Sequence, residues 1–122
     1  MTTFQKITRI DRLIHEPARL SLLSALRFED QPTTFRALLE LTSLTEGNLF
    51  CHLSRLEKAG LVTTKKTMDS QGSFTAVSLT PSGEAAIDQY WEEIKDLRRE
   101  LRNGTDKAED KSRKPAKKSK KK

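Results

Sequence analysis

Residues 44–62, LTEGNLFCHLSRLEKAGLV, specify both ends of one short helix and then a change in chain period. Thr45 supplies a hydroxyl at the N-cap, and Leu44 and Leu49 stand at the N′ and N4 positions of a hydrophobic staple. Leu49, Leu53 and Leu56 recur at helical spacing, so one face is buried. The helix stops at Ala59-Gly60. Gly60 falls at C′, and Leu61 at C″ can pack on Leu56 at C3. Beyond Gly60 the period becomes two: LVTTKKT and SFTAVSL are rich in β-branched residues, and the polar stretch Met68-Asp69-Ser70-Gln71-Gly72 separates them. This predicts a β-hairpin. A helix buried on one side and followed directly by a hairpin must lie on other helices, with its second face turned outward.

The remaining chain supplies those helices. Phe4, Ile7, Ile10 and Ile14 recur at helical spacing, which predicts a helix or ordered arm over 4–14. Pro17 suits a first helical position, and Leu20, Leu22, Leu23 and Leu26 make 17–28 a buried helix. Residues 29–32 read as a loop. Thr33 or Thr34 caps a third helix with Phe35, Leu38 and Leu39 inward. After the hairpin, Thr80 and Pro81 start a last helix over 81–102, about 33 Å long. Its stripe is Ile87, Tyr90, Ile94, Leu97 and Leu101, with Trp91 on the edge, and Asn103-Gly104 ends it. The expected fold is mostly α with a small β-hairpin, in the order α-α-α-β-β-α from Pro17, with a long C-terminal helix.

Charge separates the chain into two parts. Residues 1–104 hold 14 basic and 14 acidic side chains, whereas 105–122 hold 9 basic and 3 acidic, which produces the net +6. The tail has no apolar residue larger than alanine, so it cannot offset its ordering entropy by burial and is expected to be disordered. One domain over 1–104 plus a lysine-rich tail over 105–122 is the expected organisation. A lone cysteine allows no internal disulfide, no apolar run approaches the roughly 18 residues of a membrane span, and MTTFQKITRI lacks a signal-peptide core. A cytoplasmic protein is expected, nucleoid-associated if bacterial. No carboxylate pair, nucleophile triad or glycine-rich phosphate loop appears, so an enzyme is not expected. No cofactor, metal or small-molecule effector is evident either.

Two short helices joined by Thr42-Ser43-Leu44 make a helix-turn-helix, and the hairpin makes it winged. In HEPARLSLLSAL, TTFRALLELTSLTEGNLFCHLSRLEKAGLV and SFTAVSLTPSGEAAI the chain resembles the small single-domain winged helix-turn-helix transcriptional regulators of the broad ArsR/MarR-like group. The likeness covers roughly residues 13–90.

The resemblance implies that the helix over 45–59 reads bases of double-stranded DNA in the major groove. Asn48, His52 and Arg55 are then expected at base edges, with Thr45 and Lys58 nearer phosphates and Glu46 and Cys51 on the same face. Thr34, at a helix start, suits a phosphate. Gly47 invites a close approach, either to DNA or to the preceding helix. Wings of this group commonly carry arginines near the tip. Here the tip is Asp69-Ser70-Gln71-Gly72, so Lys65, Lys66 and Gln71 are expected on the backbone rather than in the minor groove.

Each site residue has a plainer reading. Asn48 can reach back to its own cap, Arg55 can be solvated or paired, and His52 can be packed and hydrogen-bonded. Cys51 reads as a small inert side chain rather than a redox switch, because no resolving cysteine exists. Metal sensing lacks ligands, with one Cys and two His in the chain.

The last helix outruns so small a body, and its near-heptad stripe predicts a partner helix. A homodimer is expected, with Phe4, Ile7, Ile87, Tyr90, Trp91, Ile94, Leu97 and Leu101 at its interface. Two further functions compete with a sequence-specific regulator. One is an architectural DNA-coating protein driven by the tail. The other is a winged-helix adaptor that binds protein.

Overall fold

Side-chain caps and one glycine stop set the helix limits in the computed structural model, which describes residues 1–30 and 33–104. The order is α1 (Thr3–Thr8), α2 (Pro17–Phe28), β1 (Thr33–Thr34), α3 (Phe35–Thr42), α4 (Glu46–Lys58), β2 (Val62–Asp69), β3 (Gly72–Leu79) and α5 (Pro81–Asn103). The molecule is mostly helical with a small antiparallel sheet, the winged helix fold. The described chain divides into two compact units. One spans Arg12–Gln89, and the other joins residues 1–11 to the chain from Tyr90 onward.

In the larger unit, Pro17 takes the first position of α2, and the Glu16 carboxylate accepts the Arg19 backbone N–H at 2.8 Å. Leu22, Leu23 and Leu26 are fully buried. Thr34 caps α3 by accepting the Ala37 N–H at 3.0 Å. At the far end of α3, Ser43 takes φ 60°, a left-handed conformation uncommon outside glycine. Two neighbouring bonds frame this turn: the Thr42 hydroxyl donates to the Leu38 carbonyl at 2.7 Å and accepts the Leu44 N–H at 3.3 Å.

α4 begins and ends as its sequence dictates. Thr45 accepts the Asn48 N–H at 3.1 Å. At the other end the Leu61 N–H donates to Leu56 and the Gly60 N–H to Glu57, at 3.0 and 2.9 Å. These two bonds, with Gly60 at φ 81°, are a Schellman stop. The stop also anchors α5. Thr80 donates its hydroxyl to the Gly60 carbonyl at 2.7 Å and its N–H to the Leu61 carbonyl at 3.0 Å. Gly83, in the first turn of α5, lies so close to Leu61 that a β-carbon there would stand 2.0 Å from the Leu61 oxygen. The segments AGLV and LTPSGEA therefore form one interlocked corner.

The sheet differs from a bare hairpin. Its order is β1-β3-β2, all antiparallel, with Thr33 opposite Val77 and Thr34 opposite Ala76. β1 closes the outer edge of β3. Pairing across the hairpin runs from Val62–Leu79 to Asp69–Gly72, so the turn is shorter than expected, with Ser70 and Gln71 at its tip. The Asp69 carboxylate accepts the Gln71 N–H at 2.8 Å and shapes that tip. Arg27 of α2 makes a paired bond to Asp88 of α5, at 2.9 and 3.1 Å.

Of the helix or ordered arm expected over 4–14, only the start is helical, as α1, Thr3–Thr8. Beyond it the backbone is irregular, with Ile10 of the smaller unit and Ile14 of the larger one buried, at 6% and 3% exposure. The Thr8 hydroxyl takes the Gln5 carbonyl at 2.8 Å, and the Arg9 N–H turns to Lys6, which tightens and ends the helix. α1 is fastened to α5 through Glu100, which accepts from the Thr3 hydroxyl at 2.8 Å and from Lys6 Nζ at 3.1 Å. The expected lysine-rich tail, 105–122, and positions 31 and 32 of the expected loop lie outside the described residues.

Candidate functional site

α2 lies against both α3 and α4, and α4 also meets β2. Leu49, Leu53 and Leu56 are the buried side of α4, at 0%, 3% and 0% exposure. The rest of its surface carries Gly47, Asn48, Phe50, Cys51, Arg55 and Lys58, all exposed, and Glu46 is exposed at its N-terminus. Residues three and four apart fall on one helix face, so Gly47, Cys51 and Lys58, all exposed, lie on one line with half-buried Ser54. Arg55 and Asn48 flank that line on one side and Phe50 on the other.

Asn48 uses its backbone N–H for the cap, but no side-chain hydrogen bond holds it among the described residues. The reach-back to the cap is therefore not made. Arg55 and Lys58 likewise make no ion pair there. Gly47 has nothing within 4 Å of where a β-carbon would stand, so packing on the preceding helix does not explain it.

His52 is half-buried, and its Nδ1 lies 3.2 Å from Arg19 of α2. Arginine has only donors, so Nδ1 accepts and the ring proton sits on Nε2. Arg19 is itself 8% exposed and donates through Nε to the Leu13 carbonyl at 2.6 Å. The packed reading of His52 thus holds for one ring edge, and Nε2–H is the donor left to the other edge. Nothing in the local sequence marks Arg19, because its partner His52 lies on a different helix.

Thr34 and Thr45 spend their hydroxyl oxygens on helix caps. Glu46, at the first position of α4, complements the positive end of the helix. Cys51 is an exposed free thiol, and no cluster of three metal-ligating side chains occurs among the described residues. On the wing, Lys65 and Lys66 are exposed and unpaired among the described residues, and Gln71 is exposed at the tip. Glu57 ties α4 to β2 by accepting the Thr64 hydroxyl at 3.2 Å. Between helix and wing runs a groove of about 390 Å³ lined by Phe35, Phe50, Leu53, Lys65 and Lys66 among others. Arg36, exposed near the start of α3, and Lys66 border a neighbouring cavity of about 480 Å³.

Among the residues expected to pair with a second copy, Ile87, Tyr90 and Leu97 are already buried in the single chain, at 0%, 5% and 5% exposure. Phe4, Ile7, Trp91 and Leu101 remain exposed, at 60%, 38%, 39% and 43%, and Ile94 is half-buried. The Trp91 ring meets Tyr90 edge-on, with centroids 5.1 Å apart. No helix among the described residues is long and apolar enough to cross a membrane.

Residues 18–97 match the family described as winged helix DNA-binding domain. An uncharacterized protein of Methanocaldococcus jannaschii is 32% identical over 90 residues, covering 74% of this chain and 97% of that one. A transcriptional regulator homologue from Pyrococcus horikoshii superimposes with a TM-score of 0.74 at 26% identity, covering 83% of this chain and 98% of that one. A MarR-family regulator from Silicibacter pomeroyi shares the fold at a TM-score of 0.57 and 24% identity, over 81% of this chain and 63% of that one.

Proposed function

The chain belongs to the winged helix DNA-binding domain family, and we propose that it is a homodimeric transcriptional regulator that reads double-stranded DNA by sequence. The outer face of α4 carries this reading: Asn48, Arg55 and Lys58 are exposed there without intramolecular partners among the described residues. A helix so presented fits the major groove, where Asn pairs with adenine and Arg with guanine in bidentate geometry. Arg19, buried and bonded to Leu13 and His52, fixes α4 and aims the His52 Nε2–H. Lys65 and Lys66 meet flanking phosphates, and the N-terminus of α3 with Thr34 meets another.

The exposed apolar side chains Phe4, Ile7, Trp91 and Leu101 support pairing with a second copy. Ile87, Tyr90 and Leu97, already covered, contribute by shaping the helix rather than by direct contact. A dimeric reader of this kind binds half-sites about one DNA turn apart.

Replacing Arg55 by Ala tests the reading. It should lower affinity for the preferred site by about 1–3 kcal/mol and relax the preference at one base pair. An unchanged affinity and preference would remove Arg55 from the interface.

The balance of 14 basic and 14 acidic residues over 1–104 favours a second reading, a winged-helix adaptor that binds protein. It gains if Arg55→Ala and Lys65→Ala leave DNA binding unchanged in a chain ending at residue 104.

A further inference from the structure

Phe50 is 65% exposed on α4, off the buried stripe of Leu49, Leu53 and Leu56. Single exposed apolar residues are ordinary on protein surfaces. The surroundings of Phe50 are less so. Gly47, one turn earlier on the same side of α4, leaves open space above the helix. Phe50 also lines the groove between α4 and the wing, together with Lys65 and Lys66, whose ammonium groups are unpaired among the described residues. Two free cations along such a groove attract a phosphate backbone. A strand held there would bring its base edges over Gly47 and Phe50. The apolar feature of a major groove is the thymine 5-methyl group, and phenylalanine is among the side chains that meet it.

We infer that Phe50 is a specificity-determining residue that selects thymine through its 5-methyl group. The inference rests on the proposal that α4 reads bases. It adds to Asn48 and Arg55 a contact that uses no hydrogen bond, so removing one methyl group from the DNA tests it cleanly.

The experiment uses the full chain and the DNA site it selects from a random pool. Each thymine of the site is replaced in turn by deoxyuridine, which deletes the methyl and leaves every hydrogen-bonding group in place. The unaltered protein should lose about fourfold in affinity at one thymine of each half-site, the loss expected for one buried methyl-sized group. Phe50→Ala should bind the thymine and deoxyuridine sites equally, and Phe50→Leu should keep part of the difference. Both variants remove exposed atoms, and circular dichroism checks that they fold. A selected site at which no thymine responds overturns the inference, and so does a response that persists in Phe50→Ala. A pool that yields no preferred site overturns the base-reading proposal and takes this inference with it.

Discussion

At Gly83 the absence of a side chain is a packing requirement. A β-carbon would overlap the Leu61 carbonyl, which is backbone and already accepts the Thr80 N–H, so neither atom can move without opening the corner. Gly83→Ala should destabilise the fold by about 1–3 kcal/mol, read as a lower urea midpoint with an unchanged slope. An unaffected midpoint would show that the corner yields freely. Ser43, in contrast, holds a left-handed φ with a side chain present, and neighbouring Thr42 bonds support the turn on both sides. Sequence pattern reveals neither Gly83 nor Arg19 directly. Each depends on a contact with a residue far along the chain, Leu61 for Gly83 and His52 for Arg19.

The elements that could be read from sequence are those whose signals are local. α4 carries its cap, stripe and glycine stop within residues 45–61, and the structure reproduces all three. α2 begins at Pro17 for the same reason. β1 escaped because two residues have no period, and its partner Val77 lies far along the chain from Thr33. Over 4–14 the spacing leaves helix and ordered arm undecided, because Ile10 and Ile14 keep helical spacing while being buried from irregular backbone. Phe50 does leave a trace in the sequence, as a large apolar residue beside the stripe rather than in it. On the wing, the exposed lysines should act as phosphate contacts, independent of sequence. Lys65→Ala and Lys66→Ala should each reduce the slope of log affinity against log salt by about 1 while leaving base preference intact. A changed preference with an unchanged slope would place these lysines at bases.

At the scale of the whole molecule, the proposed function needs pairing as well as α4. Phe4 and Ile7 on α1 and Leu101 on α5 are exposed apolar side chains, and Trp91 is partly exposed beside Tyr90. If the proposed dimer forms through these residues, Phe4→Glu combined with Leu101→Glu should leave the fold intact, since both are exposed, and give a monomer in sedimentation equilibrium where the unaltered chain gives a dimer. DNA affinity should then fall steeply, because two linked reading helices bind far more tightly than one. A variant that remains dimeric would place the interface elsewhere. The lysine-rich residues 105–122 would add salt-sensitive affinity without choosing a sequence.

Base reading belongs, in this proposal, to residues 1–104. The most direct measurement is selection of bound fragments from a random DNA pool at moderate salt, run with the full chain and with a chain ending at residue 104. Both should yield the same palindromic motif, with half-sites about one helical turn apart and weaker binding by the shorter chain. Enrichment that vanishes without the tail, while the shorter chain stays folded and dimeric, would contradict the proposal.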